Sequence, residues 1–137
     1  MDEANGEVRT LEELNGFLDL VVGFHDGLIK EVSWINSEYV DSNLNMLDWK
    51  PKHARILVQR QYRNPSAVEI SAYHVQSLEL VETGPIDGCI GSQEGELLKL
   101  DLCGSHIIFK WMSYRFVSDW MGPDVRLAKD NILEPEA

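Results

Sequence analysis

The hydrophobic period of this chain changes at Gly23, and that change limits the fold more than any other feature of the sequence. Before it, Thr10-Leu11-Glu12-Glu13 reads as a capping box, in which the threonine hydroxyl and the Glu13 carboxylate satisfy backbone donors at a helix start. Leu11, Leu14, Leu18, Val21 and Val22 follow at helical spacing with Phe17 beside them, and Gly23 stands where a helix stops. Gly16 weakens the helix interior and is expected to mark close packing against another element. Beyond Gly23 the apolar residues recur mostly at every second position, which is the period of a strand.

Residues 28–35 fit either period, but Val32, Trp34 and Ile35 favour a strand, and Asn36-Ser37-Glu38 then turns the chain into a second one. In that second strand Val40, Leu44 and Met46 share one face, and Pro51 ends it. Ile56, Val58 and Tyr62 alternate against Gln59 and Gln61, with Arg60 on the apolar side. Asn64-Pro65-Ser66 is a turn, after which Val68, Ile70 and Ala72 alternate against Glu69 and Ser71. The phase slips near residues 74–77; a bulge or bend there lets Leu78 and Leu80 face the core. Residues 83–96 read as a long loop or weak edge hairpin, and Leu98, Leu100 and Leu102 resume the alternation. Residues 106–117 are apolar on both faces, as a central strand covered by the helix would be. The expected fold is α+β: an N-terminal helix packed on a curved antiparallel sheet of six to eight strands, half-barrel or sandwich-like. One domain spans 10–123, between a flexible tail at 1–9 and a C-terminal tail at 124–137.

Length and charge restrict the function. With 137 residues, 44% of them hydrophobic, the chain has enough apolar surface for one globular core. No apolar run approaches the roughly 18 residues of a membrane helix. The acidic start MDEANGEVRT does not resemble a secretory signal, so a soluble cytoplasmic protein is expected. The net charge of −11 argues against nucleic-acid binding, which draws on Lys and Arg. The charge is uneven: residues 1–48 hold eleven acids and two bases, whereas residues 49–63 hold five bases and no acid. The acidic surplus is either a face that steers a basic partner or a solvated surface. The basic stretch reads as a strand whose Lys and Arg pair with neighbouring acids. Cys89 and Cys103 read as buried, reduced thiols, although their spacing alone does not exclude a disulfide.

Candidate chemistry centres on Gly23-Phe24-His25-Asp26-Gly27, directly after the helix. As an acid–base site, His25 and Asp26 need a further partner such as His53, His74, His106 or Arg115, because neighbours on a strand point apart. In the alternative reading both residues serve the turn itself. No zinc, calcium or phosphate-loop motif and no nucleophile elbow is present, so neither metal nor cofactor is expected. Trp49 and Trp120 stand beside loop-breaking prolines and are the expected exposed aromatics.

Phe24-His25-Asp26-Gly27, with Val32 and Trp34 after it and Val75, Leu78 and Leu80 further on, resembles a group of small bacterial domains. These share a phenylalanine-histidine-aspartate start followed by antiparallel strands, and some look like immunity proteins of polymorphic toxin systems. The resemblance covers residues 10–118 in outline and implies an α+β fold and a protein-binding role.

Three functional expectations follow. In the first, a non-enzymatic domain covers a basic protein such as a toxin, through carboxylates of Glu31, Glu38, Asp41, Glu94 or Glu96 and anchors such as Trp49 and Trp120. In the second, a small enzyme or ligand-binding domain uses His25 and Asp26. In the third, the chain forms a homodimer through one sheet face.

Overall fold

The computed structural model describes residues 4–81 and 84–118; Trp120 and the 124–137 segment lie outside the described residues. The molecule has one α-helix and eleven strands among those residues, all strand pairs being antiparallel.

The helix α1, Leu11–Leu20, starts where the capping box places it. Thr10 Oγ1 accepts from the Glu13 backbone N–H at 3.1 Å. The Glu13 carboxylate reaches one residue further back than the motif implies, and accepts from the Arg9 N–H at 2.9 Å. Leu14, Phe17 and Leu18 form the buried stripe. Gly16 is exposed, and a methyl group there would meet nothing within 4 Å, so it does not mark a close approach. The close approach is at Gly91, where an added Cβ would lie 2.8 Å from Leu14 Cδ2. The helix ends at a run of three left-handed residues, Val22, Gly23 and Phe24, with φ of 53°, 61° and 53°. This run drops the fully buried Phe24 ring into the core and leaves Val22 in solvent.

Residues 6–8, read from the sequence as part of a tail, form β1 (Gly6–Val8) against β11 (Trp111–Val117). Val8 is almost fully buried, and Asn5 Oδ1 accepts from the Phe116 N–H at 2.9 Å. A single apolar residue carries this strand, too little for any period to be seen. The first sheet continues through β6 (Ala67–Tyr73), β5 (Lys52–Gln59) and β2 (Leu28–Asn36), in the order β1-β11-β6-β5-β2. A second sheet has the order β7-β10-β9-β8, from Ser77–Glu79, Ser105–Phe109, Leu97–Leu102 and Ile90–Glu94. Tyr39–Val40 (β3) and Met46–Leu47 (β4) form a separate two-stranded hairpin.

The architecture is thus mixed, largely antiparallel sheet with one helix. It divides into three sheets where one sheet of six to eight strands was expected. The division falls at two breaks. The apolar run 106–117 is two strands, split at Lys110, whose N–H bonds Tyr73 O at 3.0 Å. Its partner breaks at His74, which has a φ of 55°, and Gln76 N–H then bonds Ile108 O at 2.8 Å. Both chains therefore change sheet at neighbouring positions, and the phase slip at 74–77 records this. Leu78 packs against the core after the slip, whereas Leu80 is 51% exposed and does not. One hydrophobic cluster joins α1 to both sheets, with Phe109, Ile56, Leu100 and Met112 fully enclosed.

Candidate functional site

Burial separates this chain into two kinds of surface. From Leu28 to His53 no residue is buried, although the segment includes a nine-residue strand and many apolar side chains. Val40, Leu44 and Met46, expected to share one face of a strand, are all exposed. Val40 and Met46 sit opposite each other across the β3–β4 hairpin, and Leu44 occupies its tip with a φ of 66°. The stretch expected as one strand is two short strands joined by a turn at Leu44, and they pair only with each other.

Short polar side chains fold this arm. Asp41 Oδ1 accepts from the Asn43 and Asn45 backbone N–H groups, each at 2.9 Å, and its own N–H bonds Asn45 O at 2.9 Å. These bonds hold the Asp41 carboxyl below its usual range, the Asn45 N–H first among them. Asn36 Oδ1 accepts from the Glu38 N–H at 3.0 Å and sets the entry turn. Glu38 closes the arm: Oε1 lies 2.8 Å from Lys52 Nζ, and Oε2 accepts from the Trp49 N–H at 2.9 Å. Lys52, then the Trp49 amide, holds the Glu38 carboxyl below the usual glutamate range. Glu38 and Asp41, expected to meet a partner's cations, thus have their oxygens engaged inside the arm. They shape the surface that their neighbours present.

That surface is apolar. Trp49 is 91% exposed and Leu44 84%, with Met46, Tyr39, Val40 and the nearby Trp34 and Ile35 of β2 also exposed. An opening of about 250 Å³ lies where the end of β2 meets the arm, lined by Asn36, Glu38, Tyr39, Val40 and Met46. Single exposed hydrophobics need no explanation, but here Tyr39, Val40 and Met46 meet at one opening on a short arm that also exposes Leu44 and Trp49. Residues 31–49 contain four acids, Glu31, Glu38, Asp41 and Asp48, and no Lys or Arg. Reading from sequence found Trp49 and missed the aliphatic residues, because their spacing resembles that of core strands. The signal that distinguishes them is Asp41-Ser42-Asn43-Leu44-Asn45, a run of turn-forming residues inside the apparent strand.

The other expected site residues lie elsewhere. Glu31 lines a shallow cleft of about 170 Å³ on the outer face of the five-stranded sheet, beside Arg55 and the Glu69–Arg115 pair. Arg115 meets Glu69 through two hydrogen bonds, of 3.1 and 3.2 Å, and Glu69 raises its pKa. Glu94 and Glu96 flank Gly95 at the β8–β9 turn, in the other sheet.

His25 and Asp26 are exposed, with His25 Nε2 lying 3.6 Å from Asp26 Oδ2 and His25 Nδ1 3.1 Å from Asp87 O. The backbone around them is pinned to the same segment: Asp26 N–H bonds Ile86 O, Ile86 N–H bonds Gly27 O, and Cys89 N–H bonds Gly23 O. Two open clefts share Asp26 and Gln61, one completed by Val22, His25 and Tyr62. The possible third partners are placed away from them. His53 and His74 stack edge-to-face with each other, His106 Nε2 lies 3.9 Å from Glu79, and Arg115 faces Glu69. Tyr62 donates from its hydroxyl to Val21 O, and so joins the helix end to the strand loop.

Both cysteines are free thiols, and Cys103 is exposed where a buried residue was expected, because it forms the β9–β10 turn with a φ of 61°. Burial pushes the Cys89 thiol up to about 12. Among the described residues no group of His, Cys, Asp and Glu is placed to hold a metal, and no helix is long and apolar enough to cross a membrane. No family model, curated protein or solved structure matches the chain.

Proposed function

We propose that this chain is a non-enzymatic, acidic protein-binding domain that acts by covering a basic partner with the β3–β4 arm and the end of β2. The observation that carries this reading is the exposure of Trp49, Leu44 and Met46 on an arm fixed by Glu38 and Asp41. Aromatic and aliphatic side chains on a pre-ordered scaffold bind with little loss of conformational freedom, which is how interface anchors gain affinity. The surrounding carboxylates favour a cationic partner and speed the encounter. The likeness of Phe24–Gly27 to immunity domains extends the reading: the partner is a toxin, neutralised in the cytoplasm by occlusion. Glu31 then contributes as an outlying contact and Glu94 and Glu96 as general acidic field, with Trp120 a further candidate anchor.

The test is affinity capture from the native cell with the tagged protein and a Leu44→Asp/Met46→Asp variant. The variant should fold as the parent does and lose the partner that the parent retains. Equal recovery of the same partner by both would overturn the reading.

A further inference from the structure

Among the described residues β2 ends its sheet, and that edge has a direction and a pattern. Arg60 N–H bonds Ser66 O, and Lys52 O accepts from Val75 N–H, so the even-numbered backbone groups of β5 face β6. Its odd-numbered groups therefore face β2, because backbone groups alternate along a strand. Leu57, Arg55 and His53 pair with Glu31, Ser33 and Ile35. By the same alternation Val32, Trp34 and Asn36 direct their N–H and C=O groups away from the sheet.

Proteins normally guard such an edge. Here the devices lie at its start. The Ile86 backbone bonds Asp26 and Gly27 just ahead of β2, and the register shifts between Ile29 and Glu31, which places Lys30 in a bulge. From Val32 to Asn36 the pairing with β5 is regular, and the strand has no charge and no proline. Val32 and Trp34 stand opposite the buried Ile56 and Ala54, on the core side, whereas Glu31 stands opposite Leu57 on the outer face. An added strand would thus find apolar neighbours on one face and, on the other, the Glu31 carboxylate at its near end with Ser33, Ile35 and, one strand further in, Arg55.

We infer that the partner adds a strand to β2 at Val32–Asn36, through an extended segment in which Lys or Arg alternates with apolar residues. Main-chain hydrogen bonds to Val32 and Trp34 fix that segment, its apolar residues lie beside Val32 and Trp34, and its cations lie on the side of Glu31. This rests on the docking role of the adjoining arm and adds the form of the bound segment. The occupant is a basic partner and not a second copy, since no base occurs from 31 to 49 and each copy carries a net charge of −11.

The experiment uses a fluorescent peptide of about seven alternating Lys and Val residues, a usual strand length, titrated into the whole protein. The same peptide N-methylated at alternate residues, and an alternating Glu–Val peptide, are the comparisons. Binding should fall at least about tenfold with N-methylation, with the Glu–Val peptide, and with Val32→Pro, which removes an outward N–H while leaving the β5 ladder intact. The N-methylated peptide reads the same bond on unaltered protein, should Val32→Pro fail to fold. Equal binding of the methylated and unmethylated peptides would overturn the inference. So would a wild-type dimer in sedimentation that Val32→Pro dissociates, because a second copy would then occupy the edge. If Leu44→Asp/Met46→Asp still loses the cellular partner while methylation changes nothing, the arm stands and the edge falls. If methylation matters and the arm variant retains its partner, the arm falls and the edge stands.

Discussion

Glu38 holds Trp49 by its backbone: one carboxylate oxygen accepts the Trp49 N–H at 2.9 Å while the other lies 2.8 Å from Lys52 Nζ. Trp49 has a φ of 60°, a conformation that L-residues avoid, and its side chain is almost wholly in solvent. The most exposed aromatic among the described residues is therefore placed by a backbone hydrogen bond to an ion-paired carboxylate rather than by packing.

This bond has a pH signature. Lys52 and the Trp49 amide lower the pKa of Glu38, so the folded carboxyl titrates below the unfolded one. The link is fully present above the usual glutamate range and is lost as pH falls through the depressed value. The Trp49 amide resonance, followed by NMR into acid, should move with a midpoint below that of an ordinary glutamate. In Glu38→Gln the transition should vanish. A midpoint at the ordinary glutamate value would show that the bond does not form in solution.

Stability and binding should separate cleanly between the arm and the core. Trp49→Ala removes a side chain that packs on almost nothing, and should change unfolding stability by no more than about 0.5 kcal/mol. Its cost should appear in partner affinity, on the order of 2 kcal/mol or about 30-fold for an interface anchor. Leu100→Ala, in the enclosed cluster, should do the reverse, with a loss of about 2–5 kcal/mol in chemical denaturation.

Much of the fold is legible in the sequence, for reasons that identify the part that is not. Thr10, Glu13 and the Leu14–Phe17–Leu18 stripe announce α1 because capping and burial act within a few residues. Val68, Ile70 and Ala72 announce β6 because both neighbours of that strand lie in the same sheet. What period cannot show is where a strand goes. Met46 and Leu98 each sit in an apolar alternation, yet one lies in solvent and the other in the core. The change of sheet at Lys110 is similarly hidden, since Phe109 and Met112 are both buried, on either side of it. At the candidate site the exposure of Trp49 was legible beside Pro51; that Glu38 and Asp41 shape the arm emerged only from their bonds.

The thiols should differ in reactivity. Cys103 is exposed, whereas burial, with the nearby Asp101 charge, raises Cys89 to about 12. At neutral to mildly alkaline pH one thiol per chain should react promptly with a disulfide reagent, and the second only on unfolding. Mass spectrometry of the labelled peptides should place the fast label at Cys103. Equal rates would contradict the burial of Cys89.

His25→Ala tests the catalytic alternative. His25 contacts Asp26 and the Asp87 carbonyl, so its loss should lower stability by at most about 1 kcal/mol and leave partner capture unchanged. Loss of function at unchanged melting temperature would favour a ligand site in the clefts beside Asp26.

The most direct measurement is photo-crosslinking in a lysate of the native cell, irradiated after the salt is set, with a benzophenone amino acid at position 49 and, in a parallel strain, at position 94. The arm predicts a discrete protein adduct at 49 that fades as salt rises from about 50 to 500 mM in the lysate, and little at 94. An adduct at 94 with none at 49, or one at 49 that ignores both salt and the Leu44→Asp/Met46→Asp change, would contradict it.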